Sequence, residues 1–290
     1  MTALDDLSAA LRSATDTVGA CVVGVNRIGS GLVISEGLVL TNAHNLRGEQ
    51  LFVSMAGGEE RPASLRAADP DEDLAVLETD AGTPVTAWSD QPVSIGQVVI
   101  ALGARTSGEI RPTAGTVSAV SRSFRGPRGR RIAGGFEHTA PLGRGSSGGP
   151  VLDLSGAVVG LNTHRLGEGF YLALPTDAAL RRRVESLAAG RTPRHRRLGA
   201  AVAPPRAARH LRAAAGLPEV DGVLVRAVEE GSPAERAGLK RGDVLVSADG
   251  SPLRSVDDLH AALAKDGPAL ELAVVRATEE LTVRVEFPGS

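Results

Sequence analysis

Three segments carry side chains able to do acyl-transfer chemistry. Residues 29–44 (GSGLVISEGLVLTNAH) end on His44, residues 69–77 (DPDEDLAVL) form an acidic turn that runs through Asp73 into an apolar stretch, and residues 143–151 (GRGSSGGPV) set Ser147 among glycines. A serine hydroxyl is a poor nucleophile until an imidazole removes its proton. The imidazole in turn needs a carboxylate to hold it in one tautomer. The oxyanion that forms needs preorganised N–H donors, and glycines around a serine let successive amides converge on one point. These residue types nominate Ser147 as nucleophile, His44 as general base and acid, and Asp73 as the orienting carboxylate. The amides of Gly145, Ser146 and Ser147 are the candidates for the oxyanion hole. The other histidines (His138, His164, His195, His210 and His260) read as surface or satisfied core residues, and Asp69, Asp71 and Asp80 as turn residues.

Positioning such a set takes a rigid frame, and the pattern around it is β. Ten short apolar runs lie between Cys21 and Leu174: Cys21–Val25, Gly31–Ser35, Leu38–Thr41, Leu51–Ser54, Leu74–Glu78, Gln97–Leu102, Gly115–Val120, Gly149–Leu152, Val158–Asn162 and Gly169–Leu174. Gly, Pro, Asn and Asp break them, which predicts an all-β barrel or sandwich. A short helix is expected over Ala3–Arg12, with Leu4, Leu7 and Leu11 on one face. A second is expected over Asp177–Ala189, capped by Thr176. No internal repeat is visible. The single cysteine, Cys21, excludes an intrachain disulfide and reads as a buried, inert thiol.

The net charge of −2 conceals three blocks: 6 Arg against 15 acids in residues 1–110, 18 Arg against 5 acids in 111–212, and 8 bases against 14 acids in 213–290. The arginine-rich middle could attract an anionic partner or be neutralised by its own flanks, and the second option needs no further molecule. Only Phe124 is aromatic in the most basic stretch, residues 121–131, so base stacking on nucleic acid is not expected.

The three segments resemble the trypsin-like serine proteases of the HtrA (Deg) type. Residues 41–44 (TNAH), 73–77 (DLAVL) and 145–150 (GSSGGP) carry the likeness in the order His, Asp, Ser. The resemblance implies a double β-barrel, chymotrypsin-like protease domain, no cofactor and no metal, and a homotrimer. It also implies a regulatory loop at residues 121–131, either touching an acidic neighbouring domain or solvated. Ser146 stands where the family has Asn, and Thr139 where it often has Asp. In this fold Ala140, Pro141, Leu142, Leu161, Asn162 and Thr163 would shape the primary specificity pocket. None is charged, so cuts after small or medium aliphatic residues are expected.

Residues 222–250 (GVLVRAV…GSPAERAGLKRGDVLVSADG) resemble the PDZ domain of the same proteases. By that likeness Leu198, Gly199, Ala200 and Ala201 would form the carboxylate-binding loop and first strand. Leu259 and Leu263 would either touch the peptide's last side chain or pack in the core. The expected organisation is a protease domain at 1–189, a linker at 190–196 (GRTPRHR) and a small α+β PDZ domain at 197–290. Its partners would be unfolded protein and peptide C-termini. Two rivals differ in class: a PDZ adaptor or holdase with a latent protease site, and an anion-binding protein built on the arginine block. Residues 1–20 lack a basic head and a long apolar stretch, so a cytoplasmic site is expected if Met1 is the native start. Export, as for most of the family, is the alternative.

Overall fold

The computed structural model describes every residue except 1, 49, 81, 83–86, 105–107, 127–129, 194–195, 266 and 288–290. Arg128 and His195 therefore lie outside the described residues. The chain divides into two compact units, Met1–Pro193 and Arg194–Ser290.

The first unit holds two closed six-stranded barrels. One comprises β1 (Val22–Val25), β2 (Gly29–Ser35), β3 (Leu38–Thr41), β4 (Leu51–Ser54), β5 (Glu60–Asp69) and β6 (Leu74–Glu78). The other comprises β7 (Val98–Ala104), β8 (Ile110–Arg125), β9 (Arg131–His138), β10 (Pro150–Leu152), β11 (Val158–Gly167) and β12 (Phe170–Pro175). Around the first barrel the order is β1-β2-β3-β6-β5-β4, and around the second β7-β8-β9-β12-β11-β10. The connectivity repeats although the sequence does not, because a barrel asks only that alternate residues face inward.

Two of the twelve strands, β5 and β9, were not expected from the sequence. Residues 60–66 of β5 are exposed or half-buried, and β9 contains Gly134 and Gly135. Such strands lack the β-branched, alternating signature and form because the barrel needs their backbone to close. The expected loop at 121–131 is also partly strand. β8 runs on to Arg125 and β9 starts at Arg131, with Phe124 opposite Ile132. Two of its arginines are paired inside this unit, Arg122 3.5 Å from Glu137 and Arg130 3.3 Å from Asp71.

Two helices seal the seam between the barrels. The helix α1 (Ala3–Val18) is longer than expected, because Ala14 and Val18 bury against Val22, Leu32, Ile100 and Leu152 from both barrels. Thr2 caps it through a reciprocal capping box with Asp5. Leu4, assigned to the apolar face, is 74% exposed, so only the C-terminal half of that face is used. The helix α2 (Ala178–Ala188) buries Leu180, Val184 and Leu187 against Leu40 and Leu74 of one barrel and Leu161 and Leu174 of the other. Each such side chain contributes roughly 1.5–3 kcal/mol. Its cap is Asp177, which accepts from the Leu180 amide at 2.8 Å, while the Thr176 hydroxyl donates to the Val158 carbonyl. Cys21 is buried at the end of α1, and burial pushes its thiol pKa up.

The second unit is a sheet in the order β13 (Ala200–Ala203), β14 (Val223–Val228), β15 (Val244–Ala248), β17 (Ala269–Arg276), β18 (Glu279–Glu286). The short β16 (Ser251–Pro252) pairs with β15. Three helices accompany the sheet: α3 (Pro205–Ala214), the single turn α4 (Pro233–Arg236) and α5 (Val256–Ala264). Arg196, assigned to the linker, belongs to this unit. It is buried, donates at 2.7 Å to the carbonyls of Ala262 and Ala269, and lies over the Phe287 ring. A guanidinium presents five donors, so one side chain satisfies several carbonyls left open at a helix C-terminus.

Candidate active site

His44 sits in a single 3-10 turn, Ala43–Asn45, directly after β3. Asp73 closes the turn between β5 and β6 with φ +57°, a left-handed conformation that costs a non-glycine residue about 1 kcal/mol or more. Its surroundings hold it there. The Asp73 carbonyl accepts from the Ala43 amide at 3.2 Å and from Asn42 Nδ2 at 2.9 Å. Its carboxylate has no solvent exposure and accepts from the His44 amide at 3.1 Å and from Thr163 Oγ1 at 2.9 Å. His44 Nδ1 lies 2.8 Å from Asp73 Oδ2. An ionised carboxylate can only accept, so Nδ1 carries the proton and Nε2 is left as a base.

The first barrel also holds the loop that bears Ser147. Ser30 of β2 donates its amide to the Ser147 carbonyl at 2.7 Å and its hydroxyl to the Gly145 carbonyl at 2.6 Å, while accepting from the Ala104 amide at 2.9 Å. Asn45 Nδ2 adds a second donor to the Ser147 carbonyl at 2.9 Å. This approach is why residue 148 is glycine. At φ +89°, a Cβ there would lie 2.1 Å from the Ser30 carbonyl oxygen. With these carbonyls turned toward the first barrel, the amides of Gly145, Ser146 and Ser147 have no acceptor among the described residues. The Ser147 hydroxyl itself donates to the Thr163 carbonyl at 2.7 Å and not to His44.

Beside Ser147 opens a cavity of about 40 Å³. Of the expected pocket residues, Leu142, Asn162 and Thr163 line it, together with Tyr171, Leu172 and Arg165. Pro141 is exposed and does not line it. Leu161 does not line it and packs instead with Leu40, Leu74 and Leu187. Ala140 is fully buried and likewise does not line it. Ser30, Asn45, His164 and Tyr171 were missed as site residues. The visible signals were adjacency to His44 and Thr163 and the Gly-Ser-Gly of residues 29–31.

Behind the cavity His138 is fully buried, and only one of its ring nitrogens is satisfied, Nε2 lying 2.9 Å from Asn162 Oδ1, with its ring stacked on Tyr171. Among the described residues Nδ1 has no hydrogen-bond partner. Burial therefore pushes its pKa down from 6.5 to about 4. The unfolded chain binds this proton more readily than the folded one. The associated stability is thus complete above pH 6.5 and is lost as pH falls toward 4, by on the order of 3 kcal/mol over the whole window. Thermal melts are expected to show a drop in Tm from pH 7 to pH 5 in the wild type and a smaller drop in His138→Gln. Equal drops would assign the acid sensitivity elsewhere.

In the second unit, Leu198 and Gly199 lead into β13, which Ala200 and Ala201 begin and which stands at the end of the sheet order, paired among the described residues with β14. Gly199 has φ +75°, and a Cβ there would strike Ser232. Leu259 and Leu263 are 1% and 9% exposed and share a core with Leu198, Val225 and Leu245.

Comparison with known proteins agrees with this geometry. A family model described as a trypsin-like peptidase domain matches residues 29–161, and one described as a PDZ domain matches residues 224–276. The "Probable periplasmic serine endoprotease DegP-like" of Halomonas elongata is 33% identical over 278 residues, covering 91% of this chain and 57% of that protein. The "Putative serine protease HhoA" of Synechocystis sp. is 33% identical over 277 residues, covering 89% of this chain and 70% of that protein. The chain thus spans little more than half the length of the first of these relatives. The solved structure "HtrA-type protease AlgW with tripeptide" is 27% identical with a TM-score of 0.64, over 95% of this chain and 96% of that one. Two barrels with His44, Asp73 and Ser147 at their seam, followed by a PDZ domain, place this chain in the HtrA family of trypsin-like serine proteases.

Proposed function

We propose that this chain is a serine endopeptidase acting on unfolded protein. The observation that carries the reading is the 2.8 Å contact between His44 Nδ1 and the buried carboxylate of Asp73, which leaves the other imidazole nitrogen as the base beside the Ser147 loop. In this mechanism the Ser147 hydroxyl leaves the Thr163 carbonyl, turns to His44 Nε2 and gives up its proton as Oγ attacks the peptide carbonyl. The amides of Gly145 and Ser147, with Ser146 between them, receive the oxyanion. His44 then returns the proton to the departing amine, and water repeats the cycle on the acyl group. Asp73 stays ionised and stabilises the imidazolium.

The cavity is small, about 40 Å³, and Leu142, Leu172 and Tyr171 give it an apolar side. No carboxylate lines it. Cleavage-site mapping on unfolded casein is therefore expected to give most cuts after Val, Ala or similarly small residues. A majority after Lys, Arg or aromatic residues would overturn this pocket assignment, and intact casein would overturn the endopeptidase reading.

The place of β13 at the end of the sheet order suits an added peptide strand, with the Leu198–Gly199 turn receiving a terminal carboxylate. The homotrimer implied by the resemblance belongs to this proposal too. One observation favours the rival reading of a latent site, namely the Ser147 hydroxyl resting on the Thr163 carbonyl. Labelling by a fluorophosphonate without added peptide separates the two readings. Among the described residues no helix is long and apolar enough to cross a membrane. Several relatives, that of Halomonas elongata among them, are named periplasmic, which supports the exported alternative over the expected cytoplasmic site.

A further inference from the structure

His164 follows Thr163 on β11 and lies within the site, yet the mechanism above does not use it. Its ring stacks on that of His44, with centroids 5.5 Å apart and planes within 16°. Phe124 of β8 meets it edge-on, 5.1 Å away at 88°, and a hydrogen bond to the Arg125 backbone comes from the same strand. The charged groups acting on it are His44 and Asp73 from the first barrel. Asp71 and Glu72, on the turn that carries Asp73, are paired with Arg130 and Arg183. Burial lowers the His164 pKa, Asp73 opposes that, and His44 adds to it.

During acylation His44 takes the serine proton and becomes a cation. An aromatic face beside a cation attracts it, and the same face limits how far the ring can swing. A second imidazolium at this distance would do the reverse. His164 therefore helps only while neutral, and its partly buried position against Phe124 favours that form.

We propose that His164 is a positioning residue for His44: a neutral aromatic face, clamped by Phe124, that keeps the His44 ring on Asp73 as it becomes cationic. The proposal rests on the endopeptidase reading.

The test uses the full chain with His164→Ala, His164→Phe and His164→Arg, measuring kcat and KM on one peptide across pH. His164→Ala is expected to lower kcat about tenfold with KM changed less than about twofold. His164→Phe restores the face and should recover most of that loss, with the acid limb of kcat/KM where the wild type has it. In His164→Arg a fixed positive charge opposes protonation of His44, so the acid limb should move to lower pH by about one unit. Wild-type kcat in His164→Ala, no recovery in His164→Phe, or an unmoved limb in His164→Arg each overturns the proposal. If the wild type shows neither turnover nor fluorophosphonate labelling, the endopeptidase reading fails separately. NMR titration of the His44 ring then decides the contact, and the same midpoint in wild type and His164→Arg overturns it.

Discussion

Ser147→Ala is expected to abolish cleavage of unfolded casein and labelling by a fluorophosphonate, with a fall in turnover of roughly 10⁶-fold if any cleavage remains measurable. The size follows from chemistry. Without Oγ no acyl-enzyme can form, and His44 is left with no hydroxyl to activate. The substitution should not disturb the fold, because the hydroxyl makes one hydrogen bond, to the Thr163 carbonyl. The loop itself is held through main-chain carbonyls by Ser30 and Asn45, which the change leaves intact. An unchanged Tm with no turnover is the expected pair of results. Turnover within about tenfold of wild type would remove Ser147 from the mechanism.

Asp73→Asn should cost on the order of 10⁴ in turnover, the scale known for the equivalent change in trypsin. The Asp73 carboxylate here meets three donors: His44 Nδ1, the His44 amide and Thr163 Oγ1. A carboxamide offers one accepting oxygen and one NH₂. If the NH₂ faces Nδ1, the imidazole must accept there and carry its proton on Nε2, where it cannot act as base. If it faces the His44 amide, two obligate donors confront each other beside a buried carboxamide. Either arrangement damages the base while leaving Ser147 in place. A kcat within about tenfold of wild type in Asp73→Asn would show that Asp73 does not set the tautomer.

Much of this site was legible in the sequence because its chemistry demands particular residue types. Only a serine among glycines, a histidine and a carboxylate make an activated hydroxyl beside free amides, and their motifs are local. Gly148, for example, declares itself by type, since no side chain fits against the Ser30 carbonyl. The β character was legible for the same local reason, in the ten runs whose side chains bury on alternate faces. The strands β5 and β9 were not, because their residues are polar or glycine-rich and pair only when barrel closure supplies partners. The end of α1 was set by burial of Val18 against residues far along the chain, which no helix propensity contains.

The sequence by itself determined which groups could do the chemistry and that short strands would carry them. Tertiary structure alone decided which neighbours tune those groups. Leu161 turns to the core while Asn162 turns to the cavity, and the register of β11 makes that choice. Ser30, Asn45, Thr163 and His164 lie 74 to 120 residues from the main-chain or side-chain groups they hold or face across the seam, as Asp73 accepts from Thr163 90 residues away and Gly145 from Ser30 115 residues away. Hydrogen bonds and ring contacts act over a few ångströms in space. The fold alone converts those separations along the chain into contact.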